Sequence, residues 1–179
     1  EIFFTDVEVP IENRLGAEGE GWKVTVSALA NERSSIGEVT QMLEKLDNLK
    51  NLVKTVTKQG KPASEDPKVR RSIARFEMKV AAMKFNGLRY LTKQIKGEPL
   101  TSETSVNKLH RASLEIEIDD FAVQLTGQAG LQLQGGENAV DGGKWSKSAL
   151  NWPNVVIGGG TPNIQRNIIA ERLLGQPKD

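Results

Sequence analysis

The chain has 179 residues, which is long enough for one domain with a full hydrophobic core. Its net charge of +1 and its 5% aromatic content indicate neither a nucleic-acid partner nor an anionic-membrane surface. Because it has no cysteine and a single histidine, His110, the sequence excludes disulfides, thiol catalysis and a histidine-based metal cluster, and we expect no metal site.

The chain carries no apolar run of the roughly 20 residues that a membrane-spanning helix needs, so we expect no membrane partner. It begins "EIFFTDVEVP", without Met and without a signal peptide, and therefore reads as part of a longer protein. Any targeting segment would lie upstream, and our default expectation is a cytoplasmic location.

The first residues predict a β-strand. Residues 2–9 are rich in β-branched and aromatic side chains and end at Pro10, which is typical of a strand. No partner strand for it is evident in this chain. A polar, glycine-rich link, "ENRLGAEGEGW", comes next and leads to helical patterns.

Two long amphipathic helices are predicted in the first half of the chain. The first begins near Glu20 and ends by Gly60, and its apolar residues recur every three or four positions: Ile36, Val39, Leu43, Leu46, Leu49, Val53 and Val56. Asp66 and Pro67 form a start signal for the second helix, which ends at Gly97. Its apolar stripe is Val69, Ile73, Phe76, Val80 and Met83.

A third helix is predicted from Thr101 up to the glycine-rich "TGQAGLQLQGG". It carries two apolar stripes, so we expect it to be buried between neighbours: Val106, Leu109, Ala112 and Ile116 on one, Leu114, Ile118, Phe121 and Leu125 on the other. A weak helical pattern over 144–152 and a final helix from Thr161 or Pro162 to Gly175 complete the chain. The predicted fold class is all-α, an up-down four-helix bundle.

The stretch "GGGTP" at 158–162 is the first candidate site. Glycines permit a close approach of backbone to ligand, and the start of the following helix presents unpaired N–H groups, which together suit an anion or a dinucleotide. The plain alternative is a loop with a Thr cap and a Pro in the first helical turn. Spacing alone leaves both interpretations open.

Two further stretches are candidates, each with an ordinary alternative. "ANERSSIG" places Glu32 directly before Arg33, which is either a carboxylate base beside a fixed cation or a solvated surface pair. "AVQLTGQAG" places Gln124 and Gln128 one helical turn apart with Gly127 between them, which is also typical of a helix that ends at glycine. His110 receives no role.

Together these stretches resemble the acyl-CoA dehydrogenase family. The resemblance runs from "FFTDVEVPIENRLGAEGEGWKV" through "NERSSIG" and "AVQLTGQAGL" to "GGTPNIQRNIIAERLLG", whose Gly-Thr, two variable residues and Ile-Gln-Arg are its most specific part. It covers essentially the whole chain but only the second half of a family member. It implies that residues 1–19 are the end of a central β-domain with its linker, with 2–9 as a strand remnant, and that 20–179 form the C-terminal helical domain.

The resemblance implies a flavin enzyme of fatty acid metabolism that binds FAD and oxidises acyl-CoA to 2,3-enoyl-CoA. A carboxylate removes the Cα proton, the Cβ hydride goes to the flavin, and electrons pass to an electron-transferring flavoprotein. The Cα proton is weakly acidic, so the base should be a desolvated carboxylate with a raised pKa. The family also implies a homo-oligomer, a dimer or tetramer. We expect the isolated chain to be inactive, because much of the flavin and acyl sites would come from the absent domains.

The position of the catalytic base separates two branches of the family. Many members keep it immediately before the Gly-Thr of the last motif, where this chain has Gly159. A second branch, which includes the isovaleryl- and long-chain-type enzymes, has glycine there and a Glu on the first long helix directly before an arginine. The resemblance therefore assigns Glu32 as the base and Arg33 as a positioning cation, with Gly158 and Gly159 leaving room for the acyl chain and thioester.

For FAD, the resemblance points to Gln124, Gly127 and Gln128 from a neighbouring subunit, and to Thr161 and Asn163 in the same subunit. Position 128 has Gln where commoner members have Gly, and 163 has Asn where Gln is frequent. An arginine that often contacts the FAD pyrophosphate is missing ahead of the second helix, where the available cations are Lys54, Lys58 and Lys61.

These departures favour an alternative, in which the chain is a non-catalytic structural subunit of a mixed acyl-CoA dehydrogenase assembly. Such a subunit would keep the bundle and the interface without full FAD binding. A related oxidase that passes electrons to O₂ is a further option.

Overall fold

The structure, a computed structural model, describes residues 2–33 and 36–178, with the side chains of 29–37 outside that description. Its longer helices are α1 (Gly21–Arg33), α2 (Ile36–Thr55), α3 (Pro67–Ile95) and α4 (Thr104–Thr126). Shorter helices follow at α5 (Lys144–Leu150), α6 (Trp152–Ile157) and α7 (Pro162–Ile168), the last of which continues as a π-helical turn, Ile169–Leu173. The expectation of a mostly helical chain is confirmed.

The strand predicted at residues 2–9 is wrong for this chain. No ladder hydrogen bond joins this segment to any part of the chain that the structure describes. Its apolar side chains are exposed, with Ile2 at 82% and Phe3 and Phe4 at 81%. A strand requires a neighbouring strand to bond its backbone, so a β-branched and aromatic composition alone does not produce one here.

A two-stranded antiparallel hairpin, which the sequence reading missed, follows α2. Strand β1 (Thr57–Lys58) pairs with β2 (Lys61–Pro62). The connecting residues Gln59 and Gly60 have φ values of 53° and 77°, the left-handed pair that a tight two-residue hairpin turn needs. Short polar strands give little periodicity, so this segment reads simply as the end of a helix.

The boundaries of α3 follow the predicted signals. The Asp66 side chain caps the helix by accepting from the backbone N–H of Lys68 at 2.7 Å and of Val69 at 3.4 Å, and Pro67 occupies the first turn. The helix ends just before Gly97, whose φ of 71° suits a residue without Cβ.

The core lies where α2, α3 and α4 pack against one another, with α5 closing it. Phe76 and Phe121 meet edge to face with their ring centroids 5.6 Å apart. The main buried apolar residues are Met42, Leu46, Leu49, Leu52, Phe76, Val80, Met83, Leu114, Ile118, Ala122 and Trp145. Of the described helices, none combines the length and the apolar character needed to cross a membrane.

Helix α4 also buries polar side chains, mostly in its first two turns. Its buried polar side chains there are Thr104, Ser105, Asn107 and Lys108. Helices α6 and α7 pack against α4, so the glycine loop that joins α6 to α7 is carried by the same helix. Buried polar groups need partners, which directs attention to this region of the molecule.

Candidate active site

The candidate site is built around the glycine loop, defined here as residues 158–160 between α6 and α7. Gly158 ends α6 through its N–H to the Asn154 carbonyl at 2.9 Å. Gly159 and Gly160 have φ values of 69° and 103°, which only glycine adopts without strain. Thr161 then caps α7 by accepting from the N–H of Ile164 at 3.5 Å. The expected Thr cap is therefore present, and the two positive-φ glycines precede it.

Gln165 holds the glycine loop from the side of α7. Its Nε2 donates to the Gly159 carbonyl at 2.9 Å and to the Gly160 carbonyl at 3.3 Å, and the residue is fully buried. Its Oε1 has no hydrogen-bond partner among the described residues. The sequence reading named Gln165 only as a letter of the last motif. Its position one helical turn after the Thr161 cap is the signal that could have singled it out.

Lys108 supports the other side of the loop from α4. The residue is 7% exposed, and its Nζ donates to the Val155 carbonyl of α6 at 2.6 Å. A Cβ placed on Gly159 would lie 3.3 Å from the Lys108 Cε atom, so the lysine stem passes directly beneath that glycine. The sequence reading missed Lys108, because lysine is almost never fully buried unless it is paired, and its partner is distant in the sequence.

A cavity of about 240 Å³ opens beside the glycine loop. Its described walls include both predicted substrate-binding glycines and three charged side chains: Gly158, Gly159, Glu38, Lys108, Arg111 and Asn154. The structure therefore brings Gly158 and Gly159 together with charged groups of α2 and α4.

A chain of charges runs from the cavity into the helical core. Arg111 contacts Glu38 Oε1 through Nη1 at 2.5 Å and Glu115 Oε2 through Nε at 3.3 Å. Lys45 then bridges Glu115 at 3.3 Å and Asp119 at 2.7 Å. Arg111 is thus already occupied by carboxylates, and the cavity joins a network of alternating charges.

Asp119 is the buried end of this network. Burial raises the pKa of its carboxyl, while the Lys45 ammonium and the Ser148 hydroxyl oppose that rise. Its Oδ2 accepts from Lys45 Nζ at 2.7 Å and from Ser148 Oγ at 2.9 Å, and Oδ1 has no partner among the described residues. Sequence reading did not identify this ion pair.

The predicted base, Glu32, and its neighbour Arg33 are the last two residues of α1. Their side chains lie outside the described residues, so their roles remain predictions. Helix α1 packs against α4, the helix that carries Lys108 and Arg111.

The predicted flavin contacts fall into two separate groups. Gln124, Gly127 and Gln128 are exposed at the C-terminal end of α4, where Gly127 ends the helix with a φ of 59°. At 1.5 Å per residue, Gln124 lies about 24 Å along α4 from Lys108 and the glycine loop. The structure does not bring this group into the cavity.

Thr161 and Asn163 form the second group. Thr161 is half-buried and belongs to the cap of α7, whereas Asn163 is exposed and accepts from Arg166 Nη1 at 3.1 Å. Both lie within three residues of the glycine loop.

The lysines proposed as substitutes for an arginine differ in their surroundings. Lys58 pairs with Asp66 at 2.7 Å, and this hydrogen bond contributes most to lowering the pKa of Asp66. Lys54 lines a groove of about 410 Å³ together with Arg70 from the first turn of α3. Lys61 is exposed beside the hairpin. The described residues contain no group of three or more His, Cys, Asp or Glu that could hold a metal ion.

The comparison with protein families matches residues 19–174 to the acyl-CoA dehydrogenase C-terminal domain. Among curated proteins, the chain is 30% identical over 181 residues to acyl-CoA dehydrogenase IpdE1 of Mycobacterium tuberculosis. That match covers 100% of this chain and 44% of the relative. The chain therefore spans less than half the length of this relative.

Two solved structures share the fold. An acyl-CoA dehydrogenase from Geobacillus kaustophilus superposes with a TM-score of 0.77 at 26% identity, covering 96% of this chain and 43% of that one. PigA, solved with FAD and proline, superposes with a TM-score of 0.76 at 21% identity, again covering 96% of this chain and 43% of the other.

Proposed function

Since the chain belongs to the acyl-CoA dehydrogenase family and matches the C-terminal domain of its members, we propose that the full-length protein is a flavin-dependent acyl-CoA dehydrogenase. The family match over residues 19–174 carries the proposal. The cavity bordered by Gly158 and Gly159 supports it, because those are the residues that the resemblance assigns to the acyl group and thioester.

The described residues fit FAD, the family's cofactor. The positive φ values of Gly159 and Gly160 keep the backbone uncovered next to the cap of α7, where Thr161 and Asn163 would meet the flavin nucleotide. The exposed amides of Gln124 and Gln128 suit contact with a second subunit's flavin, since they lie far from the glycine loop of their own chain. When bound, FAD accepts the hydride from Cβ.

In this proposal Glu32 takes the Cα proton, so the substrate loses a proton and a hydride and becomes the 2,3-enoyl-CoA. Arg33 holds the carboxylate in register, and Gly158 and Gly159 admit the thioester. Gln165 keeps the glycine loop in place through its two bonds to loop carbonyls. Fixed donors and a fixed loop lower the barrier because no reorganisation is needed as enolate charge develops.

For the whole protein, we propose that residues 1–19 belong to the end of a β-domain and that 20–179 form the helical domain, an up-down four-helix bundle. The protein would act in fatty acid metabolism, pass its electrons to an electron-transferring flavoprotein and assemble as a dimer or tetramer. A non-catalytic role in a mixed assembly is not favoured, because the relatives are named as dehydrogenases.

The test uses the full-length protein and its flavin absorbance. We expect Glu32→Gln to retain FAD and to lower kcat for acyl-CoA oxidation by about 10²–10⁴-fold, the usual contribution of a general base. Glu44→Gln, which removes an exposed carboxylate of α2, is the matched control and should leave kcat unchanged. Normal turnover in the flavin-loaded Glu32→Gln variant would show that Glu32 is not the base.

A further inference from the structure

We propose, building on the proposed dehydrogenase function, that Arg111 is a positioning residue for proton abstraction. Its guanidinium holds the first turns of α2 at a fixed place on α4. Helix α2 begins three positions after the end of α1, the helix on which Glu32 is the penultimate residue. Arg111 therefore acts on the reaction through the helix that it holds, and not by contact with the reacting atoms.

The hydrogen bonds of Arg111 are the first observation that carries the inference. Its Nη1 donates to Glu38 Oε1 at 2.5 Å and its Nη2 donates to Gln41 Oε1 at 3.1 Å, so one guanidinium spans a full turn of α2. Its Nε donates to Glu115 Oε2 at 3.3 Å, which orients the guanidinium on its own helix. Because the donors form a rigid planar fork, these contacts define both the rotation of α2 and its position along α4.

The partial burial of this contact is the second observation. The side chains of Arg111 and Glu38 are only 20% and 17% exposed. Water and salt screen such a pair much less than they screen a surface pair. Glu115 is equally buried and also pairs with Lys45 at 3.3 Å, so the acceptor on α4 is itself held from α2. The attachment of α2 to α4 is therefore a network and not a single surface ion pair.

The third observation is that neighbouring turns of α4 hold the two sides of the proposed chemistry. Lys108 and Arg111 lie one helical turn apart, and both line the cavity. Lys108 donates to the Val155 carbonyl of α6, the helix that leads into the glycine loop, whereas Arg111 holds the start of α2. On the proposed function the glycine loop admits the thioester and the end of α1 supplies the base. Helix α4 thus sets the distance between them.

Apolar packing alone does not fix the start of α2. Val39 is buried against Gly87 of α3, where a Cβ would lie 3.1 Å from its Cγ2 atom. Such a contact is non-directional, whereas the hydrogen bonds of a guanidinium depend on distance and angle. A misplacement of about 1 Å can cost on the order of 10²-fold in rate. We therefore expect the loss of the Arg111 fork to slow proton abstraction.

The experiment measures single-turnover flavin reduction at saturating acyl-CoA on the flavin-loaded full-length protein, from the loss of flavin absorbance. The substrate is the fastest of butyryl-, isovaleryl-, octanoyl- and palmitoyl-CoA. We expect Arg111→Met to keep its FAD and to lower the rate by about 10–100-fold. Arg75→Met is the matched control, because Arg75 also joins two helices, at 3.3 Å from Glu117, but does not line the cavity. It should leave the rate unchanged.

Arg111→Lys separates position from charge. It keeps a cation beside Glu38 and Glu115, so neither carboxylate loses its compensation and the variant is expected to fold. A lysine ammonium lacks the planar fork and cannot reproduce the contacts with Glu38 and Gln41 together. The rate should therefore lie between those of the wild type and Arg111→Met. A rate equal to that of the wild type would mean that charge alone is sufficient, and would overturn the positioning role.

A double variant with Glu32→Gln tests whether Arg111 acts through the base. Residues that act as a unit have non-additive effects on rate. Once the base is gone, Arg111→Met should lower the residual rate of flavin reduction by less than about twofold. A merely structural effect, such as a loosened glycine loop or flavin site, would lower the rate by the same factor with and without Glu32.

The outcomes separate this inference from the proposed function. A flavin-loaded Arg111→Met variant with the wild-type rate, or an equal loss in both backgrounds, overturns the inference while acyl-CoA dehydrogenation stands. Normal flavin reduction in Glu32→Gln overturns the assignment of the base, and the inference with it, because Arg111 would have no base to position. A protein that binds no flavin and oxidises none of the substrates overturns the proposed function as a whole.

Discussion

At the scale of single residues, Lys45 of α2 joins side chains of α4 and α5. Its Nζ lies 2.7 Å from Asp119 and 2.8 Å from Ser148 Oγ, and the two charged side chains are only 14% and 5% exposed. Removing one member of a buried ion pair leaves the other charge without compensation. We therefore expect Lys45→Met to lower the free energy of unfolding by about 3–5 kcal/mol, measured by urea denaturation of the full-length protein.

The control for this substitution is Lys147→Met, at an exposed position of α5 beside Ser148. It should change the free energy of unfolding by no more than about 0.5 kcal/mol. If the Lys45→Met variant and the wild type have equal stability, the ion pair makes no net contribution to the free energy of unfolding.

Asp119 makes stability depend on pH in an unusual direction for a carboxyl group. Burial raises its pKa above the ordinary 3.8, so the native state holds its proton at pH values where the unfolded state has released it. The contribution of Asp119 to the free energy of unfolding is fully present below pH 3.8, and it is lost as the pH rises through the pKa of Asp119 in the native state. The free energy of unfolding of the wild type, minus that of Asp119→Asn, should therefore fall as pH rises through this window.

Urea midpoints measured at a series of pH values would check the slope. Asp120→Asn changes the adjacent, exposed carboxyl of α4 and should leave the slope as it is in the wild type. A difference that grows with pH in the Asp119→Asn comparison would contradict the raised pKa.

At the scale of helices, the contact between α2 and α3 depends on a residue without a side chain. A Cβ on Gly87 would lie 3.1 Å from the Val39 Cγ2 atom, and Val39 is itself buried. Gly→Ala in a helix interior ordinarily stabilises by about 1 kcal/mol, whereas overpacking a core costs about 1–3 kcal/mol. We expect the second effect to win and Gly87→Ala to lower the free energy of unfolding by up to about 2 kcal/mol.

A double variant distinguishes the two effects. In a Val39→Ala background the clash is gone, so Gly87→Ala should become stabilising by about 1 kcal/mol in urea denaturation. Stabilisation of the same size in the unmodified background would show that α2 and α3 are not in close contact at this point.

At the scale of the whole molecule, one face of α3 is apolar and uncovered. Met78, Phe85 and Ile95 are 67%, 63% and 78% exposed, and Leu88 and Leu91 continue the face. Exposed apolar patches of this extent mark interaction surfaces, and a homo-oligomer is part of the proposed function. We expect Phe85→Glu combined with Ile95→Glu to reduce the mass of the full-length protein in light scattering, by splitting its oligomer.

Asn51→Glu, an equivalent charge on the exposed side of α2, is the control and should leave the mass unchanged. An undiminished mass in the double α3 variant would place the contact between copies on another surface.

Local chemistry determined which parts of the fold were predictable. The start of α3 at Asp66 and Pro67, its end before Gly97 and the cap at Thr161 depend on residues within a turn of one another. The hairpin at 57–62 was missed because two-residue strands leave no periodic pattern. The strand at 2–9 was wrongly expected because its composition is typical of a strand, whereas the described residues offer it no partner strand.

In the candidate site, the residues of a contiguous motif were predicted and other residues were missed. Its glycines were found because their motif is contiguous, and Glu32 remains a prediction. Lys108 was missed because it bonds a carbonyl 47 positions away, which only the fold reveals. Gln165 was missed although its partners lie only five and six positions before it. Composition cannot distinguish a buried lysine from the exposed ones that surround it in the sequence.

The geometry at Gly159 limits which amino-acid substitutions this position tolerates. An acidic side chain there would have to adopt a φ of 69°, and its Cβ would press on a lysine stem that is held in place by the Val155 carbonyl. Such a backbone conformation alone costs roughly 1–2 kcal/mol for residues other than glycine. A carboxylate introduced at position 159 would therefore cost stability through its backbone, and the Lys108 stem would have to shift by a few tenths of an ångström to admit it. The two positions are coupled, so the effect of a substitution at 159 depends on the residue at 108.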